Sequence, residues 1–477
     1  MRAKRRDLWT GIGVILLILA CSPASRTLGF AGGRGEPNDP YQIATVADLL
    51  AINSDPNLPK KSFVLLNDLD LDPNLPGGRV FTDAVVRPFW GTFDGRGHTI
   101  RHLCVSAKPG LSAALFGSVH GLIKDLHLEE VQINGSSCGG LASFTPGGTI
   151  LHCSVTGKVT GSHEVGGLIG NGWDAKILNC ESQAEVSGSS HVGGLVGHTI
   201  SGAHIGDCRA SGTVTGTTFV GGLLGGGSGT TITGCRAEGK VMGVDQVGGL
   251  AGNISFRSTL VRCESRADVS AASNVGGLAG QLDGQVVECR AAGTITGADA
   301  VGGLVGDCGV AAIRNCAAVC QVTAQEAAGG LVGGLHGFVA VLDSYARGSV
   351  TGAVVGGLVG NATIIGFSNC LVNNYAACEV LALRGDKQAA VAGGLFGKAD
   401  LARESLFRMT GCYWDTDVAK VLRAAGSGSA CYGTGLTTQP MQQQDTFEQA
   451  GWDFASTWTM EENGYPVLRW EVARDAK

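Results

Sequence analysis

Residues 191–216 read HVGGLVGHTISGAHIGDCRASGTVTG. Paired glycines, a lone cysteine and rows of small and β-branched residues admit three readings: a phosphate-cradling loop, a reactive or metal-binding thiol, or one unit of a structural repeat. The neighbouring sequence decides between them. The leucine of each GGLxG-like block falls at Leu115 (in AALFG), Leu141, Leu168, Leu195, Leu223, Leu250, Leu278, Leu304, Leu331, Leu358 and Leu395. The steps are 26, 27, 27, 28, 27, 28, 26, 27, 27 and 37. A unit of about 27 residues therefore recurs in eleven copies, with one insertion near NNYAACEVLALRGDKQ. The cysteines keep the same beat. Cys153, Cys180, Cys208, Cys235, Cys263, Cys289, Cys316 and Cys370 each lie 11 to 13 residues after a block leucine, and Ser344 takes the place in the copy that lacks one.

Within a unit the pattern alternates. CESQAEV sets Cys180, Ser182, Ala184 and Val186 on one side and Glu181, Gln183 and Glu185 on the other, and CRAEGKV, CESRADV and CRAAGTI repeat this from Cys235, Cys263 and Cys289. Period-two alternation marks a strand with one buried face. Two places break it. Val and Leu of VGGL, and Ile and Cys of ILNC, ITGC and IRNC, stand three apart and cannot share one face of a straight strand. A bend between them turns both inward, and glycine tolerates the backbone angles such a corner needs. With no helical period in the repeats, the expected fold is all-β: a right-handed parallel β-helix (solenoid) of about eleven ~27-residue coils with N- and C-terminal capping segments. At about 4.8 Å per coil, eleven coils make a rod roughly 50 Å long.

Composition agrees. Glycine contributes 77 of 477 residues, roughly twice the usual share of about 7%, yet 44% of the chain is hydrophobic, so the glycine serves a folded structure. A net charge of -6 and a pI near 5.9 give no basic footprint for nucleic acid. MRAKRR followed by LWTGIGVILLILA has the basic start and short apolar run of a signal peptide, expected over 1–24. CSPAS offers two processing routes: cleavage at the A-x-A-like Ser22-Pro23-Ala24, or a lipobox at Ile18-Leu19-Ala20-Cys21 that makes Cys21 the lipidation candidate. The remaining expected segments are an N-terminal opening or cap over 30–112, the repeat β-helix over 113–400 and a C-terminal cap over 401–477.

The blocks resemble GLUG-motif repeats, named for their G-L-hydrophobic-G core, from about Ala113 to Gly397. EPNDPYQIATVADLLAIN, FVLLNDLDLD and FWGTFDGRGHTIRHL resemble the segment that opens such arrays, and GCYWDTD and GTGLTTQPMQQQDTFEQAGWDFASTWTMEENGYPVLRW resemble the one that closes them. The resemblance implies a right-handed β-helix on an exported bacterial protein. GLUG repeats also accompany some surface proteases as an accessory region. The family brings no catalytic residue to carry over.

The chemical readings weaken against the repeat. A Walker loop needs G-x-x-x-x-G-K-[ST], and the densest glycine run, Gly225 to Thr231, has no lysine. The cysteines form no CxxC pair. Cys316 and Cys320 both point inward on one strand, about 13 Å apart, too far to bridge. A stack of buried thiols acting as small hydrophobes is expected, with Cys104, Cys138, Cys308, Cys378, Cys412 and Cys431 off the ladder and Cys412 with Cys431 as the candidate disulfide. HExxH fails because Gly167 follows His163-Glu164 where the second histidine belongs. Outward Glu181, Glu185, Glu238, Glu264 and Asp268 alternate with Arg209, Arg236, Arg266 and Arg290, as a solvated face does, although a lyase or hydrolase site would also draw on such carboxylates. Asp68, Asp70 and Asp72 are either a calcium patch or outward aspartates of a strand. DGRGH (Asp94 to His98) reads as a turn, and Trp414, Trp452, Trp458 and Trp470 as a cap over the solenoid end rather than a sugar-stacking set.

No catalytic, cofactor or metal residue is assigned. The expected function is a non-enzymatic exported β-helix, secreted or on the cell surface, presenting an extended surface for adhesion or envelope interaction. Its partner is an extracellular or envelope component, polysaccharide among the candidates. It excludes nucleic acid and involves a membrane only through a lipid anchor. The alternatives are a carbohydrate-active enzyme or carbohydrate-binding module on the same scaffold, and a structural spacer.

Overall fold

The structure, a computed structural model, describes residues 29–364, 369–384, 390–401, 407–428 and 433–475. Cys21, the lipobox and the signal segment lie outside the described residues, as does Cys431.

The unit quoted above folds as one coil of a parallel β-solenoid. Ser190–Gly193 forms a first face and Val196–Ile200 a second, while His204–Gly206, Arg209–Ala210 and Thr213–Thr215 make the third. Neighbouring coils pair in parallel: Val192 with Val165 and Val220, Val196 with Ile169 and Leu224, Ile205 with Ile177 and Ile232. The described strands make sheets of 10, 12 and 29 strands on the three faces. The coils number about thirteen rather than eleven. The additional coils come from the N-terminal segment, whose Tyr41, Phe63 and Phe93 stand in one column with Ile123 and Ile150. Aromatic side chains fill the first rungs of the column that isoleucine fills later.

Both predicted bends are present. Val192 and Leu195 are fully buried on either side of Gly193-Gly194, as are Ile205 and Cys208 on either side of the second corner. That second corner turns on one left-handed residue immediately before the ladder position. It is His152, Asn179, Asp207, Arg262, Glu288 and Asn315 in successive non-glycine coils, with φ between 51° and 55°, and Gly234 where glycine serves. The buried cysteine after it donates its thiol to the carbonyl two residues back, 3.3 Å from Cys180 to Leu178 and 3.2 Å from Cys208 to Gly206.

Two expectations about the ladder change. Cys370 pairs with Ala340, four residues before the rung at Asn374, and is half-buried. The rungs after Cys316 are Ser344, Asn374 and Cys412: Ser344 Oγ accepts from the Cys316 amide at 3.1 Å, and Asn374 Nδ2 reaches Cys412 Sγ at 3.8 Å. In the coil of Leu358 three additional residues separate the second-face strand Val359–Ile364 from the third-face strand Asn369–Val372, which puts its rung 16 rather than 13 residues after the leucine and hides the register from a count of spacings. Cys412 is a buried free thiol that donates to Leu371 and Thr410 carbonyls, so it is a rung rather than a disulfide partner. The third inward position also differs. Gly239 and Gly293 take φ of 97° and 122° against the previous coil's backbone instead of lining the core.

Asp94 to His98 is not a turn between strands. It is a bulge inside the strand Thr92–Arg101, where the register shifts and Asp94 accepts from the Arg96 amide at 2.9 Å.

Candidate functional site: a polar groove along the glycine corner

The glycines of VGGLxG exist because backbone meets backbone there. A Cβ on Gly197 would stand 2.5 Å from both Glu164 C and Val165 N of the preceding coil, closer than packed atoms allow, and one on Gly193 would strike the Val196 carbonyl. This tight corner is re-entrant on the outside. A left-handed residue just before the block and the residue seven positions later face each other across it. Glu164, His191, Phe219, Gln246, Asn274 and Ala300 hold the first position, with φ between 50° and 56°.

The partners across the groove are specific. Asn171 Nδ2 donates to Glu164 Oε1 at 2.7 Å, and Asn253 Nδ2 to Gln246 Oε1 at 2.8 Å. His191 and His198 lie with ring centroids 4.4 Å apart, and Phe219 stacks on the other side of His191 at 4.6 Å. His198 Nδ1 is 3.5 Å from Glu164 Oε1. His198 and then the Asn171 amide hold Glu164 below the usual carboxylate range against its burial. Burial, with the charge of His198 second, pushes His191 down to about 4. Gly226 leaves the space that the His191 ring occupies.

Towards the C-terminus the groove widens into a cavity of about 490 Å³ lined by Asp299, Gln325, Glu326, Asn361 and Lys398 over a floor of Ala327 and Val354. Ala327–Gly329 and Val354–Gly356 pair without a skipped residue, so these coils lack the left-handed side chain that fills the groove elsewhere. Glu326 Oε2 and Asn361 Oδ1 are buried here without a hydrogen-bond partner, an arrangement that costs free energy unless a ligand or water supplies donors.

The other residues singled out in the sequence fall elsewhere. Asp68, just before the strand Leu69–Asp70, accepts from His98 (3.1 Å) and the Thr99 amide (3.0 Å), and Asp70 within it from His102 (2.8 Å), so both are outward aspartates engaged with histidines of the next coil. Asp72 accepts from Asn74 in the turn that follows. His163 is exposed beside the groove and Gly167 sits in the corner. Glu181, Arg209, Arg236, Glu264 and Arg290 do form one outward column, but it is not wholly solvated. Glu264 is 2% exposed beneath Arg474 of the C-terminal helix Arg469–Asp475, with Arg236 and Arg266 at 3.7 and 2.8 Å. The same column continues as Ala317, Tyr345, Tyr375 and Tyr413. Met441, Phe447, Trp452, Trp458 and Leu468 pack over it as a second core.

The tryptophans therefore divide. Trp414 lies inside the last coils, its indole donating to the Val421 carbonyl at 2.9 Å, whereas Trp452, Trp458 and Trp470 brace the flank. The switch of the post-cysteine residue from charge to alanine and tyrosine was the available signal for this second core.

Residues 188–215 match the family model described as the GLUG motif. The chain is 33% identical over 149 residues to halomucin of Haloquadratum walsbyi, covering 29% of this chain and 2% of that protein. It is also 33% identical over 127 residues to a protein of Evansella cellulosilytica named a Gly-rich membrane protein, covering 27% of this chain and 13% of the other. The chain thus spans only a small part of the curated relatives it matches. A solved structure described as an immunoglobulin A1 protease from Bacteroides ovatus aligns over 92% of this chain and 95% of its own, at 15% identity and a TM-score of 0.38.

Proposed function

We propose that this chain, a GLUG-motif repeat protein, is a non-enzymatic exported β-helix that presents its corner groove to an extracellular or envelope partner. The observation that carries the reading is the groove itself. Across several coils it displays amides, imidazoles and carboxylates held at fixed coil spacing, and it ends in a cavity with two unspent acceptors, Glu326 Oε2 and Asn361 Oδ1. A partner rich in hydroxyl or amide donors suits those acceptors. The basic-then-apolar N-terminal stretch supports export, and the name of one relative as a membrane protein supports a surface location.

A carbohydrate-active enzyme is the second reading, because Asp299 and Glu326 line one cavity and paired carboxylates serve glycoside cleavage. A glycan array read alongside a reducing-sugar assay separates the two. The first reading expects binding that Asn361→Ala weakens and no release of reducing ends; turnover by the native chain would overturn it. Antibody labelling of intact cells tests the location, and labelling only after lysis would count against it.

A further inference from the structure

The described chain has four exposed Trp, Phe or Tyr side chains: Trp90 (47%), Trp173 (52%), Phe256 (64%) and Phe338 (48%). All four stand on one edge, the corner between the second and third faces and away from the groove. Corner backbone stacks there coil on coil. The Leu122 amide bonds the Gly91 carbonyl, Lys176 the Gly148 carbonyl, Gln285 the Ser258 carbonyl, and Ala311 pairs with Val339. Counted along these rungs, each aromatic lies at or one residue before the corner and three coils from the next, about 14 Å at 4.8 Å per coil.

The rings are held. His120 stacks on Trp90 at 5.0 Å and 16°, and the Arg257 guanidinium lies over Phe256 at 5.1 Å, leaving the opposite ring face to solvent. The coils between are low and mostly polar, with Gly147, Ser201, Gly202, Ser228, Gly229 and Asp283, and the aliphatic Val310 is the exception. A lipid surface or a folded protein partner would call for a contiguous apolar patch. A single-stranded nucleic acid also stacks on aromatics, but it needs a basic track, and on this edge Lys176 and Arg257 alternate with Asp174 and Asp283 in a chain of net charge -6.

We infer that this edge is a binding track for a linear, uncharged polysaccharide. The apolar faces of its sugar rings recur at equal steps and stack on Trp90, Trp173, Phe256 and Phe338, while its hydroxyls meet the polar coils between. The inference rests on the extracellular interaction reading above and adds to the groove a second surface with its own ligand class.

Native affinity electrophoresis of the full chain, in gels holding hydroxyethyl cellulose, glucomannan or xylan, tests it. At least one polymer should retard the native chain. The double variant Trp173→Ala/Phe256→Ala should bind at least tenfold more weakly, with unchanged circular dichroism because both side chains are exposed. Phe256→Trp should retain binding, and Glu238→Gln, exposed on the third face and outside both the track and the groove, should leave it unaltered. No retardation by any of the three, or equal retardation of the double variant, overturns the track. Surface labelling of cells reports separately, so the location can stand when the track fails, and the reverse.

Discussion

The glycines of the repeated block owe their presence to atoms of the neighbouring coil, and that makes their replacement costly. Gly197→Ala places a methyl carbon 2.5 Å from the backbone of Glu164 and Val165. The coil has no cavity to take it, so a loss of about 3 kcal/mol is expected, measured by urea unfolding. His191 behaves differently, because its cost is electrostatic. Its folded value of about 4 lies below the value near 6.5 of an unfolded histidine. Between those limits the unfolded chain takes up the proton and the folded chain does not, so stability is full above about pH 6.5 and falls as the pH drops toward 4. The charges bearing on His191 are His198, Glu164 and His163. Hydrogen exchange of the Val192 amide should quicken over that range in the native chain, and the slope should flatten in His191→Gln. An exchange rate independent of pH after correction for intrinsic chemistry would contradict this.

The C-terminal segment shows how far an element can be read from its residues. The coils were legible because inward period-two columns and three-residue breaks repeat in every unit, and a repeated pattern reports its own register. The groove was not, since its two walls are seven residues apart in one coil and meet only through left-handed residues such as Glu164 and His191, which no composition signals. Tryptophans declare burial and not its location, so the sequence reads as one end cap what divides between the last coils and the flank. Arg347 pins it: the guanidinium donates to Tyr375 Oη at 2.7 Å and the Pro466 carbonyl at 3.0 Å, and pairs with Glu461 at 3.0 Å. Tyr345 donates to Glu471, whose carboxyl burial pushes above its usual range. Trp458→Ala, emptying the centre of this second core, should cost about 3–5 kcal/mol of its docking. Limited chymotrypsin digestion should then release the segment from Gly433 onward while the β circular dichroism persists. Simultaneous loss of both would show that the solenoid depends on its brace.

In the whole molecule each coil contacts mainly its neighbours, so stability accumulates along one dimension. The thiol column records this packing. Burial raises Cys180 and Cys263 well above an ordinary thiol, and Cys316 and Cys320 to about 12, while the neighbouring thiols of Cys208 and Cys263, then burial, raise Cys235. Of the fourteen described cysteines only Cys104 and Cys370 are not fully buried. Iodoacetamide at neutral pH should therefore modify these two among the described set and spare the other twelve until denaturant is added, as peptide mass mapping will read. Early labelling confined to a run of adjacent rungs would instead mark a segment that opens by itself. The brace makes such opening unequal. It ties the coils from Glu264 to Tyr413 to one another across several rungs, while neighbour-to-neighbour ladders and side-chain bonds join the coils before Glu264. Under tension between its two ends the rod is a spring of two stiffnesses in series. The unbraced amino-terminal coils should extend first and take up the load, and the carboxy-terminal half should keep its shape until the Arg474–Glu264 tie gives way.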